Sequence, residues 1–160
     1  MTSQIIAWVG VLLGAVTSFF ATSMVERAKF RQTLATRWDD RKLDAYIEYS
    51  ACVKDANRAA KQLLDAHERG ADTTEPLAAM EAAEARRSIA FEGLVLLTDQ
   101  ASTEAAAHVN ERLWALLKCA SAPADFSPTD RQAASPAVIH ALNKLHDTAR
   151  ADLAISTRER

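Results

Sequence analysis

The side chains most capable of chemistry in this chain are its four histidines, its two cysteines and its carboxylates, and their spacing decides what they can do. His67, His108, His140 and His146 form no H-E-x-x-H pattern, and no two stand four apart on one helix. Glu104 and His108 miss by one residue the Glu-x-x-His spacing of di-iron bundles, and no second copy of that pair exists. His67 and His146, on separate helices, can approach each other in a bundle and make a metal site conceivable, but no convergent carboxylate or cysteine pattern accompanies them, and satisfied or exposed histidines are expected. Cys52 and Cys119 are far apart and read as reduced thiols of an intracellular domain, not as a disulfide framework. The four glycines, two of them before residue 15, build no phosphate loop or dinucleotide fingerprint. Serines and threonines lack an evident base partner. The expectation is a protein with no catalytic residue, no cofactor, no metal and no small-molecule substrate. A formal net charge of −2 gives no argument for nucleic-acid binding.

The elements that carry these residues divide sharply along the chain. Residues 1–24 contain no Asp, Glu, Lys, Arg or His, so all 19 basic and 21 acidic residues lie beyond Met24. At ~1.5 Å per residue, Ile5–Met24 covers ~30 Å, the hydrocarbon thickness of a bilayer. Each Ile, Leu, Val or Phe there favours insertion by ~0.3–0.6 kcal/mol, and no charge opposes it. The segment is therefore expected to be a single transmembrane helix. A cleaved signal peptide and a wholly buried core helix are the competing readings; Ala21-Thr22-Ser23 loosely resembles a cleavage site, but Met1–Gln4 lacks the basic side chains such a peptide carries, and core helices seldom run this long without charge. Arg27, Lys29 and Arg31 follow the apolar run immediately. The positive-inside rule then puts the short N-terminus outside and the C-terminal part in the cytoplasm of a bacterial cell membrane. The same three residues are candidates for contact with anionic lipid, at ~1 kcal/mol each close to the surface. Within the span, Gly10, Gly14, Ser18 and Thr22 form a ridge of small residues suited to helix–helix association.

Beyond the anchor the pattern is all-α. Residues 25–37 read as a juxtamembrane helical stalk, 38–156 as an antiparallel bundle of about four helices, and 157–160 as a frayed tail. In the first helix, Leu34, Trp38, Ala45, Tyr46, Tyr49, Cys52, Val53, Ala56, Ala60, Leu63 and Leu64 share one stripe. Asp40, Asp44, Lys54, Asp55, Arg58, Gln62 and Asp65 lie opposite. Leu43 and Ile47 fall off the stripe, one turn apart, and suit a second neighbour or another copy of the protein. Gly70 ends this helix, and Thr74 is expected to cap the next, about Glu75–Leu97, with Pro76 in its first turn. That second helix is alanine-rich, with apolar residues on several faces. Thr98, Asp99 and Ser102 mark the start of a third helix, lined by Ala105, Val109, Leu113, Leu116, Leu117 and Ala120. A linker with Pro123 and Pro128 follows, and Ser135-Pro136 is expected to open the last helix, lined by Val138, Ile139, Leu142, Leu145, Ala149 and Leu153.

The segment Arg37-Trp38-Asp39-Asp40-Arg41-Lys42-Leu43-Asp44-Ala45-Tyr46-Ile47-Glu48-Tyr49 resembles one recurring in small actinobacterial membrane-anchored helical proteins, over mainly residues 30–120. The resemblance implies a bacterial membrane-associated bundle. It carries no activity and no functional residue, and Trp38, Tyr46 and Tyr49 are expected to be buried aromatic anchors. Function on these readings is that of a non-enzymatic, membrane-tethered interaction or scaffold module, with membrane lipid and a protein partner or second copy as partners. A membrane-active effector or small toxin assembled through the anchor, and an enzyme with an inter-helix site, are the alternatives.

Overall fold

The computed structural model describes residues 38–153, and every described element is helical. Helix α1 occupies residues 38–68. It is followed by α2 (Thr74–Val95), α3 (Gln100–Ser121), a single 3-10 turn (Pro123–Asp125) and α4 (Pro128–Asp152). The chain divides into two units, residues 1–40 and 41–160, and the bundle belongs to the second. None of the described helices is long and apolar enough to cross a membrane. The expected span, the stalk, the ridge Gly10, Gly14, Ser18 and Thr22, and the basic residues Arg27, Lys29 and Arg31 lie outside the described residues.

Side-chain bonds between helices fix the topology. Lys42 and Tyr46 near the start of α1 meet Asp152 at the end of α4, and Ser50 faces His146. Tyr49 meets Ala106 and Asn110 in the first half of α3, while Arg87 of α2 also reaches Asn110. Successive helices therefore run antiparallel, as their short connections require. The α1 stripe forms the centre of the core. Tyr49, Val53, Ala56 and Ala60 are fully buried there, against Leu113 and Leu116 of α3 and Val138, Leu142 and Leu145 of α4. Each fully buried Leu or Val favours folding by ~1.5–3 kcal/mol.

Several boundaries depart from expectation, each for a local reason. Thr74 does not cap α2. The Asp72 carboxylate does the work, accepting from the Thr74 amide (3.0 Å) and hydroxyl (2.7 Å). These bonds hold its pKa below the usual carboxylate range. Helix α2 ends at Val95, two residues before Leu97. Gly70 ends α1 with φ 61°, a left-handed conformation that suits glycine. Helix α3 starts as expected, Asp99 accepting from the Ser102 amide at 2.8 Å.

The largest correction concerns α4, which opens at Ser127-Pro128, not at Ser135-Pro136. The two Ser-Pro pairs look alike, but only the first has an acid three residues after the serine. Ser127 accepts from the Asp130 amide (3.1 Å) and donates to the Asp130 carboxylate (2.6 Å). Pro136 consequently lies inside α4. Trp38 is also corrected, being 53% exposed where a buried anchor was expected. Periodicity places Trp38 on the stripe's face of α1, but it stands in the first turn of the described helix. Ile139 is 39% exposed, although the α4 stripe includes it.

Candidate functional site

Two places in the bundle concentrate functional groups, and they differ in access. The first is a groove of about 450 Å³ between α1 and α4. Its lining includes Leu43, Tyr46, Ile47 and Ala51 from α1, with Ala149 and Leu153 from the C-terminal end of α4. Leu43 and Ile47, the pair that falls off the α1 stripe, are 42% and 58% exposed. They stand out because the α1 core stripe faces α3 while these two sit on its outer shoulder. Ser50, Lys54, His146 and Arg150 complete the wall, and Arg150 donates to the Asp147 carboxylate at 2.8 Å. His146 Nε2 lies 3.3 Å from Ser50 Oγ. Burial, then the neighbouring charges of Lys54 and Arg150, lower the His146 pKa, so the imidazole is neutral at pH 7. At the N-terminal end of this groove Asp152 accepts from Lys42 Nζ (2.7 Å) and from the Tyr46 hydroxyl (3.0 Å). Burial pushes the Tyr46 phenol well above its ordinary range, so it stays a donor.

The second place is a closed polar cluster joining α1, α2 and α3. Arg87 is only 2% exposed. Its guanidinium grips Glu84 in a fork through Nε (3.0 Å) and Nη2, and Nη1 donates to Asn110 Oδ1 at 2.8 Å. The Tyr49 hydroxyl lies 2.7 Å from the same Asn110 oxygen and 3.1 Å from the Ala106 carbonyl. Trp114 Nε1 donates to Glu84 Oε1 at 3.1 Å, and the Arg87 guanidinium stands 6.0 Å from the Trp114 ring centroid. The Phe91 ring packs against Tyr49 at 6.0 Å between centroids. Burial also pushes the Tyr49 phenol far up, against the smaller opposing effect of Arg87. Each charge here has its counterpart, and the cluster locks the rotation of α2 on its neighbours.

Sequence reasoning passed over this cluster, although a signal was present. Met80, Ala83, Arg87, Ala90 and Leu94 are the buried positions of α2, a regular alternation of three and four residues. Arg87 sits in the middle of that seam, where a lone charge demands a partner one turn away.

The histidines separate. His67 is exposed in the last turn of α1, at the opposite end of the antiparallel α1–α4 pair from His146, so the two do not approach. His108 pairs with Glu111 at 3.2 Å on an exposed face. Among the described residues no three His, Cys, Asp or Glu side chains cluster to hold a metal ion. Cys52 is half-buried and Cys119 buried, and desolvation raises both thiol pKa values. No protein-family model matches the chain, and no curated protein or solved structure is significantly similar to it.

Proposed function

We propose that this chain is a non-enzymatic interaction module, tethered to a bacterial cell membrane by Ile5–Met24, whose cytoplasmic bundle binds protein through the α1–α4 groove. The observation that carries the reading is the contrast in access. The charged residues of the polar cluster are consumed by one another, whereas Leu43 and Ile47 leave apolar surface open along the groove. Tethering confines partners to a thin layer at the membrane and raises their effective concentration. The uncharged N-terminal segment and the basic residues Arg27, Lys29 and Arg31 support the anchor and its orientation, with Gly10, Gly14, Ser18 and Thr22 as the face for association within the bilayer. The resemblance carried by residues 37–49 supports a bacterial membrane setting.

The test combines topology with partner capture in the full chain. A reporter fused after Arg160 is expected to read cytoplasmic, in a membrane fraction that resists alkaline extraction. Proximity labelling from the same fusion is expected to yield neighbours that Ile47→Asp loses. A chain recovered from the soluble fraction contradicts the tether, and a labelling pattern indifferent to Ile47→Asp contradicts the groove.

A further inference from the structure

We propose that residues 122–135, the 3-10 turn and the first two turns of α4, form a strap that swings off the bundle as a unit about Pro136, leaving α4 to begin at Ser135 and uncovering Cys119 and Leu64. The strap lies at the other end of the α1–α4 pair from the groove and does not depend on it.

Helix α4 carries two start signals. Ser127-Pro128 is the one in use, with Asp130 completing the reciprocal cap. Ser135-Pro136 repeats the serine and the proline, and lies inside the helix. A proline is unfavourable there, because it has no N–H for the Gln132 carbonyl and its ring crowds that carbonyl. Released from the turns before it, the same dipeptide becomes an N-cap and a favourable first residue. The helix therefore has two workable beginnings, and moving to the second removes the interior proline.

The halves of α4 on either side of Pro136 are held unequally. Val138, Ala141, Leu142, Leu145 and Ala149 of the second half are buried. From Ser121 to Ala137 no residue is buried, and Phe126 and Ala134 are the partly buried apolar side chains of the strap that pack against the core. Segments with few buried contacts open locally before the whole fold does. The strap is nonetheless coherent in itself. Arg131 Nη1 donates to the Pro123 (2.8 Å) and Phe126 (3.2 Å) carbonyls, tying the 3-10 turn to the helix. Among the described residues no side-chain hydrogen bond or ion pair joins it to α1. A cleft of about 370 Å³ lies between them instead, lined by Leu64 and Glu68 of α1 and by Arg131 and Ser135 of the strap. Ala122, with φ −138° and ψ 65°, breaks the helical path from α3 and supplies the second pivot. Cys119 is 1% exposed, and Arg131 and Asp130 stand close enough to act on its thiol. Lifting the strap takes cover from Cys119 and from Leu64 together.

Thiol labelling of Cys119 tests this in the full chain in lipid nanodiscs, with Cys52→Ser removing the other thiol. Labelling is expected to depend on denaturant less steeply than global unfolding does. The two serines should act in opposite directions. Ser127→Ala removes the cap of the closed form and should speed labelling at least threefold. Ser135→Ala removes the cap of the open form and should slow it at least threefold, as should Pro136→Ala. Amide exchange in the same chain is expected to be at least tenfold faster over Gln132–Ser135 than over Ala141–Leu145. Labelling with the denaturant dependence of global unfolding overturns the proposal. So does an effect of the same sign for both serines, any of the three substitution effects below threefold, or an exchange ratio below tenfold.

Discussion

The groove between α1 and α4 and the polar cluster joining α1, α2 and α3 lie on opposite sides of the same core helix and use opposite materials. The groove leaves Leu43 and Ile47 in contact with solvent, with Lys54, His146 and Arg150 along its wall. The cluster encloses Arg87 and balances it with Glu84, Asn110 and a ring face. Exposed apolar surface adds little to folding and much to association. An enclosed ion pair has the reverse profile, because either partner left alone in a low dielectric is costly. The comparison teaches that in this bundle the chemically richest site holds the fold together and the plainest site is the one free to bind.

The two halves of that comparison can be broken separately. The largest effect is expected from Glu84→Ala, which leaves Arg87 buried without its counter-charge and should cost about 3–5 kcal/mol in chemical denaturation. Replacing both, as Glu84→Leu with Arg87→Met, should recover most of that loss, which distinguishes an unpaired charge from lost packing. Next comes Tyr49→Phe, expected to cost about 1–2 kcal/mol because the buried hydroxyl proton shared between Asn110 Oδ1 and the Ala106 carbonyl is lost. Ser127→Ala should cost about 1 kcal/mol by removing the N-cap of α4. A smaller, pH-dependent effect belongs to His146. Its folded pKa is lowered, so the stability it contributes is present above the ordinary histidine pKa of 6.5 and is lost as pH falls through the folded value. Thermal melts between pH 7 and pH 5 should therefore fall more steeply for the wild-type chain than for His146→Gln. At the small end, Ile47→Ser should change stability by less than about 0.5 kcal/mol, as expected of an exposed position.

How far the sequence reveals this arrangement depends on whether neighbours along the chain decide a feature. The α1 stripe was legible because Tyr46, Tyr49, Val53, Ala56, Ala60 and Leu63 alternate with charges at helical spacing, and all six are buried. Asp99 was legible as part of the α3 start because capping is local. The start of α4 turned on which of two Ser-Pro pairs had a reciprocal acid, and Asp130 decides it for the first. Asp72 outcompeted Thr74 at the α2 start through a turn that a search for Ser or Thr caps overlooks. The burial of Trp38 was misread because periodicity says which face a residue lies on, not how deeply it is covered. Arg87 was missed since its partners Asn110 and Trp114 come from another helix, and side-chain bonds between helices leave little trace in local spacing. Leu43 and Ile47 were visible as off-stripe residues, but the groove they line needed α4 in place.

The division of labour between groove and cluster is tested most directly by measuring stability and association together in one pair of variants of the full chain. With the labelling enzyme fused after Arg160, Ile47→Asp should lose the neighbours labelled around the wild-type chain while leaving the denaturation midpoint within error of wild type. Tyr49→Phe should lower that midpoint and, under folding conditions, leave the labelled neighbours unchanged. The opposite assignment, with Ile47→Asp unfolding the bundle or leaving association intact, contradicts the account.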